Sequence, residues 1–344
     1  MKLKPENVMV GLFMASATLL FAWHNLTKPS ILILHSYDPD YAWCRDINIG
    51  LNRVLKDRYR YRLRWHYMDT KRHPYDDYKR SAGIAARNVI AAANPDVVIA
   101  IDDDAQQYVA RYYRNNPRVK IVFAGVNSTT GDYGYDDANN VTGILERLPL
   151  SAMQEALSSS ASFKALDHPI RLAFLGDHSE TVDGDAGQLQ RFDWRPMQLT
   201  SVRQVDTWPQ WQANVLDLAA ANDVLLLSGY RRLHRSATDA SLVPPREVVA
   251  WTESHATLPV ISLNAFYTED GGMLAIGASP YEQGEMAGTL ALDLALRDRK
   301  VSALPVTSTS QFVVSMSGSK MQAKHFTLPR VYEAAARTGN LYLP

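Results

Sequence analysis

The sequence predicts an α/β protein built from two lobes. From Pro29 onward, short apolar runs alternate with stretches of helical length, which is the pattern of strand–helix–strand units around a parallel sheet. This rhythm reaches about residue 145 and starts again near residue 150, so a second sheet is expected. The chain of 344 residues is also too long for one ordinary core, and its length favours about two domains.

Five strands and three helices are expected in the first half of the chain. The predicted strands are 31–36, 61–67, 96–101, 119–124 and 141–145. The predicted helices are 41–57, 75–93 and 104–115. Strands of a parallel sheet are buried on both faces, and the unbroken apolar run of 97–101 within the predicted strand 96–101 fits such a position. The first half therefore predicts one sheet with helices on both sides.

The second half repeats the pattern, with strands at 170–175, 197–204, 223–228 and 258–263 and helices at 150–160, 180–192, 208–221 and 245–255. A strand at 273–277, a long helix at 281–298, a strand at 311–316 and a helix from about Pro329 follow. We therefore predict two Rossmann-like lobes with parallel sheets, joined by a hinge. Lobe 1 is expected at 30–145, completed by about 279–310, and lobe 2 at 146–278. The C-terminal segment 311–344 is expected to pack across the lobes.

The first 29 residues predict export across a bacterial inner membrane. Lys2 and Lys4 precede the uncharged stretch from Val8 to Trp23, which gives a basic region followed by an apolar region. The stretch is slightly short for a spanning helix, so it predicts either a cleaved signal peptide or a retained membrane anchor. The expected location is the periplasm, as a soluble or an anchored protein.

Bulk composition and motifs favour a binding protein over an enzyme. Lys plus Arg and Asp plus Glu are both 36, so the formal net charge is zero and nucleic acid is not an expected partner. The single cysteine, Cys44, excludes an internal disulfide and a cysteine-based zinc cluster. Glycine-rich phosphate loops, the HExxH zinc motif and the G-x-S-x-G elbow are absent from the sequence. We therefore expect no cofactor, no metal ion and no catalytic residue.

Polar and aromatic side chains follow almost every predicted strand. In open parallel sheets, ligands bind beyond the carboxyl ends of the strands, because loops and helix N-termini meet there. The candidate ligand-binding residues are Ser36, Tyr37, Tyr41, Trp43, Asp103, Asn127, Asp177, Ser179, Tyr230, Asn264 and Tyr267. Structural alternatives stay open for several of them, since acidic residues before a helix often cap it and buried aromatic residues often only pack.

Several sequence segments carry a family resemblance. They are LILHSYDPDYAW (32–43), NPDVVIAIDDDA (94–105), VKIVFAGVNS (119–128), NVTGILE (140–146), GGMLAIGASPYEQGEMAGTLALDLAL (271–296) and SGSKMQAKHFTLP (317–329). Through them the chain resembles the solute-binding proteins of ABC transporters. The similar branch of type I periplasmic binding folds includes tryptophan- and tyrosine-binding members and related extracellular sensor domains. The sequence departs from the family pattern at Ser317 and Gly318, where an asparagine is frequent, and in lacking a lipid-attachment cysteine.

This resemblance implies two lobes that are joined by about three crossings and close on one small solute. It assigns ligand contacts to Ser36 and Tyr37 in the first loop, Asp103 in the second and Asn127 in the third. It extends to the other lobe at Asp177, Ser179, Tyr230 and Asn264. An ABC transporter permease or a membrane sensor protein is the implied partner.

The same residues favour an amino acid or a similar small zwitterion as the solute. Asp103 suits an ammonium group, while hydroxyl, amide and helix N-terminal donors suit a carboxylate. Two other functions stay open. One is a membrane-anchored sensory protein that binds its ligand in the periplasm. The other is a metal-dependent periplasmic hydrolase that uses the aspartates at 102–104.

Overall fold

The structure is a computed structural model that describes residues 5–57, 59–297 and 299–344. The basic residues Lys2 and Lys4 of the predicted export signal lie outside the described residues. So does Asp298, where the long helix was expected to end.

The elements follow the predicted alternation of strands and helices. The helices are α1 Pro5–Thr27, α2 Ala42–Val54, α3 Asp76–Ala93, α4 Asp103–Tyr108, α5 Leu150–Ser159, α6 Glu180–Arg191, α7 Trp208–Ala221, α8 Pro245–His255, α9 Phe266–Glu269, α10 Pro280–Leu296, α11 Gly318–Ala323 and α12 Arg330–Thr338. The strands are β1 Ser30–His35, β2 Arg62–Tyr67, β3 Val97–Ile101, β4 Lys120–Val126, β5 Val141–Leu145, β6 Arg171–Asp177, β7 Gln198–Val205, β8 Val224–Leu227, β9 Val260–Ser262, β10 Leu274–Ala278, β11 Thr307–Ser308, β12 Phe312–Ser317 and β13 Tyr342–Leu343.

Two sheets organise the molecule. The first has the strand order β11-β5-β4-β3-β1-β2, and all of its neighbouring strands are parallel. The second has the order β13-β12-β10-β9-β8-β6-β7, in which only the β10–β12 pair is antiparallel. The prediction of an α/β fold with two parallel-dominated sheets is confirmed.

Apolar side chains on both faces of each sheet explain why the strands read as continuous hydrophobic runs. In β1, Ile31 and Ile33 join a cluster with α2 and α10, while Leu32 and Leu34 join a cluster with α3 and α4. The second sheet likewise separates two apolar clusters. Burial on both faces is what a parallel sheet needs when helices cover it on both sides.

One helix differs from its prediction. A continuous helix was expected over 104–115, but α4 ends at Tyr108 and a short 3-10 helix follows at Ala110–Tyr113. Val109 leaves helical geometry, with φ −134° and ψ −68°. Its side chain is fully buried together with that of Ala110. The break therefore accompanies the burial of both side chains against the first sheet.

The chain passes between the sheets three times, at 146–149, at Ser279 and at 309–311. The first turn of α10 follows the crossing at Ser279, and its side chains form hydrogen bonds to the crossing at 309–311. Gln283 accepts a bond from Gly125 N at 2.7 Å and donates to Thr309 Oγ1 at 2.7 Å. Glu282 accepts bonds from the backbone N–H groups of Ser310 and Gln311. The hinge is thus built from hydrogen bonds as well as chain connectivity.

Helix α10 follows the second sheet in sequence but packs on the first lobe. Its Gly284 and Gly50 of α2 allow the two helices to touch, because a Cβ at Gly284 would lie 2.2 Å from Ile47 O and one at Gly50 would lie 2.3 Å from Tyr281 O. Alanine is excluded at both positions without movement of a helix. The segment 311–344 contributes β12 and β13 to the second sheet.

Helix α1 stands apart from both lobes. The segment Met9–Thr27 is long and apolar enough to cross a membrane, and none of it is buried. Its large apolar side chains, such as Phe13, Leu20 and Trp23, are about 70% exposed. Only Lys28 and Pro29 separate it from β1.

Candidate functional site

The two lobes meet over a small cavity at the carboxyl ends of their strands. Its volume is about 20 Å³, roughly the space of one water molecule. It is lined by Tyr37, Tyr41, Trp43, Lys71, Asp102, Asn127, Glu146, Thr181 and Asn264. Thr181 and Asn264 come from the second lobe, so the cavity lies in the cleft between the lobes. A solute larger than water enters it only if the lobes separate.

Three aromatic residues from the loop after β1 and the start of α2 form one wall. The Tyr37 hydroxyl lies 3.2 Å from Thr181 Oγ1, which joins the two lobes directly. The ring of Tyr41 meets that of Tyr37 edge to face, with centroids 5.4 Å apart. The indole N–H of Trp43 donates to Asp102 Oδ1 at 2.7 Å. This wall offers apolar surface and leaves the carboxylate of Asp102 oriented.

Carboxyl groups dominate the floor of the cavity. Burial raises the pKa of both Asp102 and Glu146, and neighbouring acidic groups raise both further. Asp102 adopts φ 67° and ψ 167°, a conformation that costs about 1–3 kcal/mol outside glycine and is frequent at functional sites. Among the described residues, Asp102 Oδ2 and Asn127 Oδ1 have no hydrogen-bond partner. The floor therefore presents acceptor atoms for a ligand that donates.

Asp103 does not line the cavity, but it positions a residue that does. Its carboxylate accepts bonds from Tyr133 OH at 2.6 Å, Asn127 N at 3.1 Å and Ser128 N at 3.2 Å. These bonds fix the loop that follows β4. The Asn127 amide is then held with its Nδ2 donating to Glu146 Oε2 at 3.2 Å. Asp103 is thus a positioning residue for Asn127.

A further buried carboxyl group lies behind the wall of the second lobe. Asp185 of α6 is 1% exposed and accepts a short hydrogen bond from the Ser228 hydroxyl. Ser228 Oγ in turn accepts from Asn264 Nδ2, which belongs to the cavity wall. Burial raises the pKa of Asp185 to about 7. Its Oδ1 has no partner among the described residues.

Positive charge is placed toward the mouth of the cleft. Among the described residues, Lys71 is the only cation that lines the inner cavity, and its Nζ lies 4.8 Å from the ring centre of Tyr37. Lys71 and Tyr41 also line a neighbouring outer pocket of about 310 Å³, which includes Arg72 and Arg231. The outer pocket contains Asp38 and Asp40 as well. The cleft thus runs from an acidic interior to a mixed, cation-rich mouth.

Of the predicted site residues, Tyr37, Tyr41, Trp43, Asn127 and Asn264 line the cavity. The others do not line the cavity, and their polar side-chain atoms form hydrogen bonds inside one lobe.

Ser36 donates to Ile101 O and accepts from Ala105 N, both at 2.7 Å. Asp177 accepts from Ser179 Oγ at 2.7 Å and from Arg232 N at 2.9 Å. These bonds fasten the starts of the loops after β1 and β6. The role of Ser36, Asp177 and Ser179 is therefore to stabilise the loops that surround the site.

Tyr230 and Tyr267 are fully buried in the second lobe. The Tyr230 hydroxyl donates to Asp270 at 2.7 Å, and the Tyr267 hydroxyl donates to Glu253 at 2.9 Å. Both rings pack in the apolar cluster on one face of the second sheet.

The predicted ligand-binding residues do not include Lys71, Glu146 and Thr181 in the cavity or Asp185 behind it, and Asp102 enters the predictions only as one of the aspartates at 102–104. Asp102 and Glu146 were within the segments 94–105 and 140–146 that carried the family resemblance. Their positions at or directly after a strand end were a usable signal. Lys71 and Asp185 had none, because a loop lysine and a helical aspartate are usually solvated.

One group of side chains has the composition of a metal site. A ring nitrogen of His35, the sulfur of Cys44 and a carboxylate oxygen of Asp102 lie within 4.8 Å of one another. Burial lowers the pKa of His35 to about 4, so its imidazole is neutral, and His35 Nδ1 has no partner among the described residues. Burial also raises the pKa of the Cys44 thiol, so a metal ion would have to displace the thiol proton.

No protein-family model matches the sequence, and no curated protein shows significant similarity to it. Solved structures do match. A conserved domain protein from Vibrio cholerae O1 biovar El Tor has a TM-score of 0.65 at 15% identity, covering 90% of this chain and 98% of that one. An ABC domain from Streptococcus pneumoniae in complex with L-Trp has a TM-score of 0.64 at 18% identity, with the same coverage.

A substrate-binding protein with adhesive properties from Clostridium difficile, in its ligand-free open form, has a TM-score of 0.60 at 15% identity and covers 88% of this chain and 96% of that one. At these identities the likeness shows the fold. The chain has the type I periplasmic binding fold.

Proposed function

We propose that the protein is a periplasmic solute-binding protein that closes around an amino acid or a similar small zwitterion. The observation that carries this proposal is the charge arrangement of the cleft. The inner cavity is lined by Asp102, Glu146 and the Asn127 amide, with Lys71 as its cation among the described residues. A solute ammonium group complements the acceptors of the interior, and a carboxylate complements the cations nearer the mouth.

The aromatic wall supports a solute that also carries an apolar part. Tyr37 and Tyr41 lie between the acidic interior and the outer pocket and offer ring faces and edges to a side chain. The similar protein from Streptococcus pneumoniae was solved with L-Trp, which is an ammonium, a carboxylate and an aromatic ring on one small frame. Aromatic or large apolar amino acids are therefore the first solutes to test.

Contacts that the solute makes only when the lobes are closed supply the energy that favours closure. Both lobes contribute to the cavity wall, so a solute held between them makes its full set of contacts only in the closed state. Exclusion of water from the cleft also strengthens each polar contact. The solute thereby favours the closed form, which a membrane partner can distinguish from the open form. We propose an ABC transporter permease as that partner.

A sensory role is the second candidate, and helix α1 favours it. The helix is of membrane-spanning length and is connected to β1 by two residues only. If it is retained, the binding domain is held beside the membrane and passes its closure to a signalling partner. Intact-mass measurement of the exported protein separates the two roles, since a free solute carrier has lost α1 and an anchored sensor has kept it.

The proposal is tested by thermal unfolding of the purified chain against a panel of amino acids, amines, sugars and divalent metals. A ligand that binds only the folded state raises the midpoint by mass action. We expect aromatic or large apolar amino acids to raise it. Their decarboxylated amines and deaminated acids, each lacking one charge, should raise it less. A rise with neutral sugars, and none with amino acids, would refute the zwitterion assignment.

The affinity of an ammonium-bearing solute should increase as the pH rises through about 7, the pKa of Asp185. Below that pH the carboxyl group is protonated, and above it the negative charge attracts the solute. In the free protein the same raised pKa makes the folded state lose stability as the pH rises from 3.8, the unshifted pKa, to about 7, and the loss is complete above that pH. Calorimetric titrations should show a gain of up to about tenfold per unit as the pH rises toward 7, and a plateau from about pH 7 to pH 8.

Asp185→Asn should remove the part of this pH dependence that ends near pH 7, because an amide carries no titrating proton. Asp206→Asn, which changes an exposed aspartate of the same lobe, serves as the control and should leave the pH profile as it is. An unchanged profile in Asp185→Asn would show that Asp185 is not the titrating group.

A further inference from the structure

The edge of the first sheet where α1 joins it carries a concentration of basic side chains. This edge holds the amino ends of β1, β2, β3 and β4. Ser30 at the start of β1 pairs with Arg62 of β2, and Val97 of β3 pairs with Lys120 of β4. The C-terminal end of α10 reaches the same edge, because Lys120 Nζ donates to Leu294 O at 2.9 Å.

Exposed basic residues on this edge come from three separate segments of the chain. They are Lys56, Arg60, Arg62, Arg118, Arg297, Arg299 and Lys300. Among the residues that the structure describes, five acidic ones lie near the edge against these seven, namely Asp57, Asp96, Asp136, Asp137 and Asp293. Asp96 accepts from Ser30 N at 2.7 Å, and the buried Asp293 pairs with Arg297 and Arg299. The edge therefore has an excess of positive charge, although the whole chain is neutral.

Helix α1 places this edge close to the bilayer when it spans the membrane. Thr27 and Ser30 are three residues apart, so their Cα atoms are separated by no more than about 11 Å. That distance is comparable with the Debye length of about 8–10 Å at physiological salt. The amino end of β1, where this edge begins, thus lies within electrostatic reach of the lipid headgroups.

We propose that this basic edge is a membrane-docking surface that binds the phosphate headgroups of anionic lipids. A groove of about 780 Å³ opens on it, and Lys120, Lys300, Asn116 and Asn139 are among the residues that line the groove. Ammonium and amide N–H groups are donors suited to phosphate oxygens. Docking would hold the first lobe against the bilayer and leave the second lobe free to move. The proposal rests on retention of α1 but on no particular solute.

The test uses the full-length chain in lipid nanodiscs of neutral phosphatidylcholine, with or without about 30% phosphatidylglycerol. Amide hydrogen exchange is measured over residues 56–62, 114–120 and 299–304. We expect exchange at least about fivefold slower in the anionic discs, and the protection should disappear in about 0.5 M NaCl.

The triple variant R60E/R118E/K300E should lose this protection. The matched control K164E/R246E/R330E makes the same charge change on exposed positions outside the first lobe and should keep it. Equal exchange in neutral and anionic discs, or loss of protection in both triple variants, would overturn the proposal. Removal of α1 from the exported protein, seen by intact mass, would overturn it as well. Solute-induced thermal shifts of R60E/R118E/K300E report separately on the cleft and should match those of the parent chain.

Discussion

Gly184→Val is expected to weaken solute binding by at least about a hundredfold while each lobe remains folded. Gly184 lies on α6 of the second lobe, and a Cβ placed there would lie 2.8 Å from the Cβ of Asn127 in the first lobe. A valine side chain therefore acts as a wedge between the lobes. Binding that requires the closed form loses affinity in proportion to the lost closed population. Isothermal calorimetry measures the affinity. At saturating solute, small-angle scattering should show a larger radius of gyration for Gly184→Val than for the parent chain.

Gly187→Val on the same helix is the matched control. A Cβ at Gly187 meets only the mobile guanidinium of Arg191, at 3.1 Å, so valine fits there without touching the other lobe. Both substitutions change the helix propensity of α6 by the same amount. An equal loss of affinity in the two variants would mean that valine acts by destabilising α6 and not by a clash between the lobes. That result would contradict the wedge mechanism.

Lys79→Met is expected to lower the free energy of unfolding by about 3–5 kcal/mol, as removal of one partner from a buried ion pair does. Lys79 of α3 is 2% exposed, and its Nζ lies 3.0 Å from Asp104 Oδ1 and 2.7 Å from Glu180 Oε1. Methionine fills the same volume but leaves the carboxylate of Asp104 without its counter-charge in the interior. Urea denaturation of the free protein measures the loss.

Two further variants distinguish an effect on folding stability from an effect on the closure of the lobes. Arg80→Met changes the neighbouring residue, whose ion pairs with Asp76 and Asp77 are exposed, and it should cost less than about 1 kcal/mol. Glu180→Gln removes the contact that reaches across from the second lobe and should lower solute affinity more than stability, because Glu180 is 51% exposed. If Lys79→Met lowered the free energy of unfolding by as little as Arg80→Met, Lys79 would not be acting as a buried counter-charge.

The architecture could be predicted from the sequence, because the pattern of burial is local. Runs such as 31–34 and 97–101 are apolar at every position, as a strand buried on both faces requires. The rule that ligands bind beyond the carboxyl ends of parallel strands then directed attention to Tyr37, Tyr41, Trp43 and Asn127, all of which line the cavity. The end of α4 escaped prediction, because the burial of Val109 depends on packing against the sheet.

The sequence does not show which polar side chains of the strand-end loops face the cleft, because this depends on the tertiary structure. Asp102 and Asp103 are adjacent in sequence, yet Asp102 lines the cavity while Asp103 is saturated by bonds from Tyr133, Asn127 and Ser128. Lys71 reaches the cavity from the loop after β2, and Asp185 lies behind its wall on a helix of the other lobe. A side chain's availability depends on which distant groups have already taken its hydrogen bonds, and those partners are brought together only when the two sheets fold and meet.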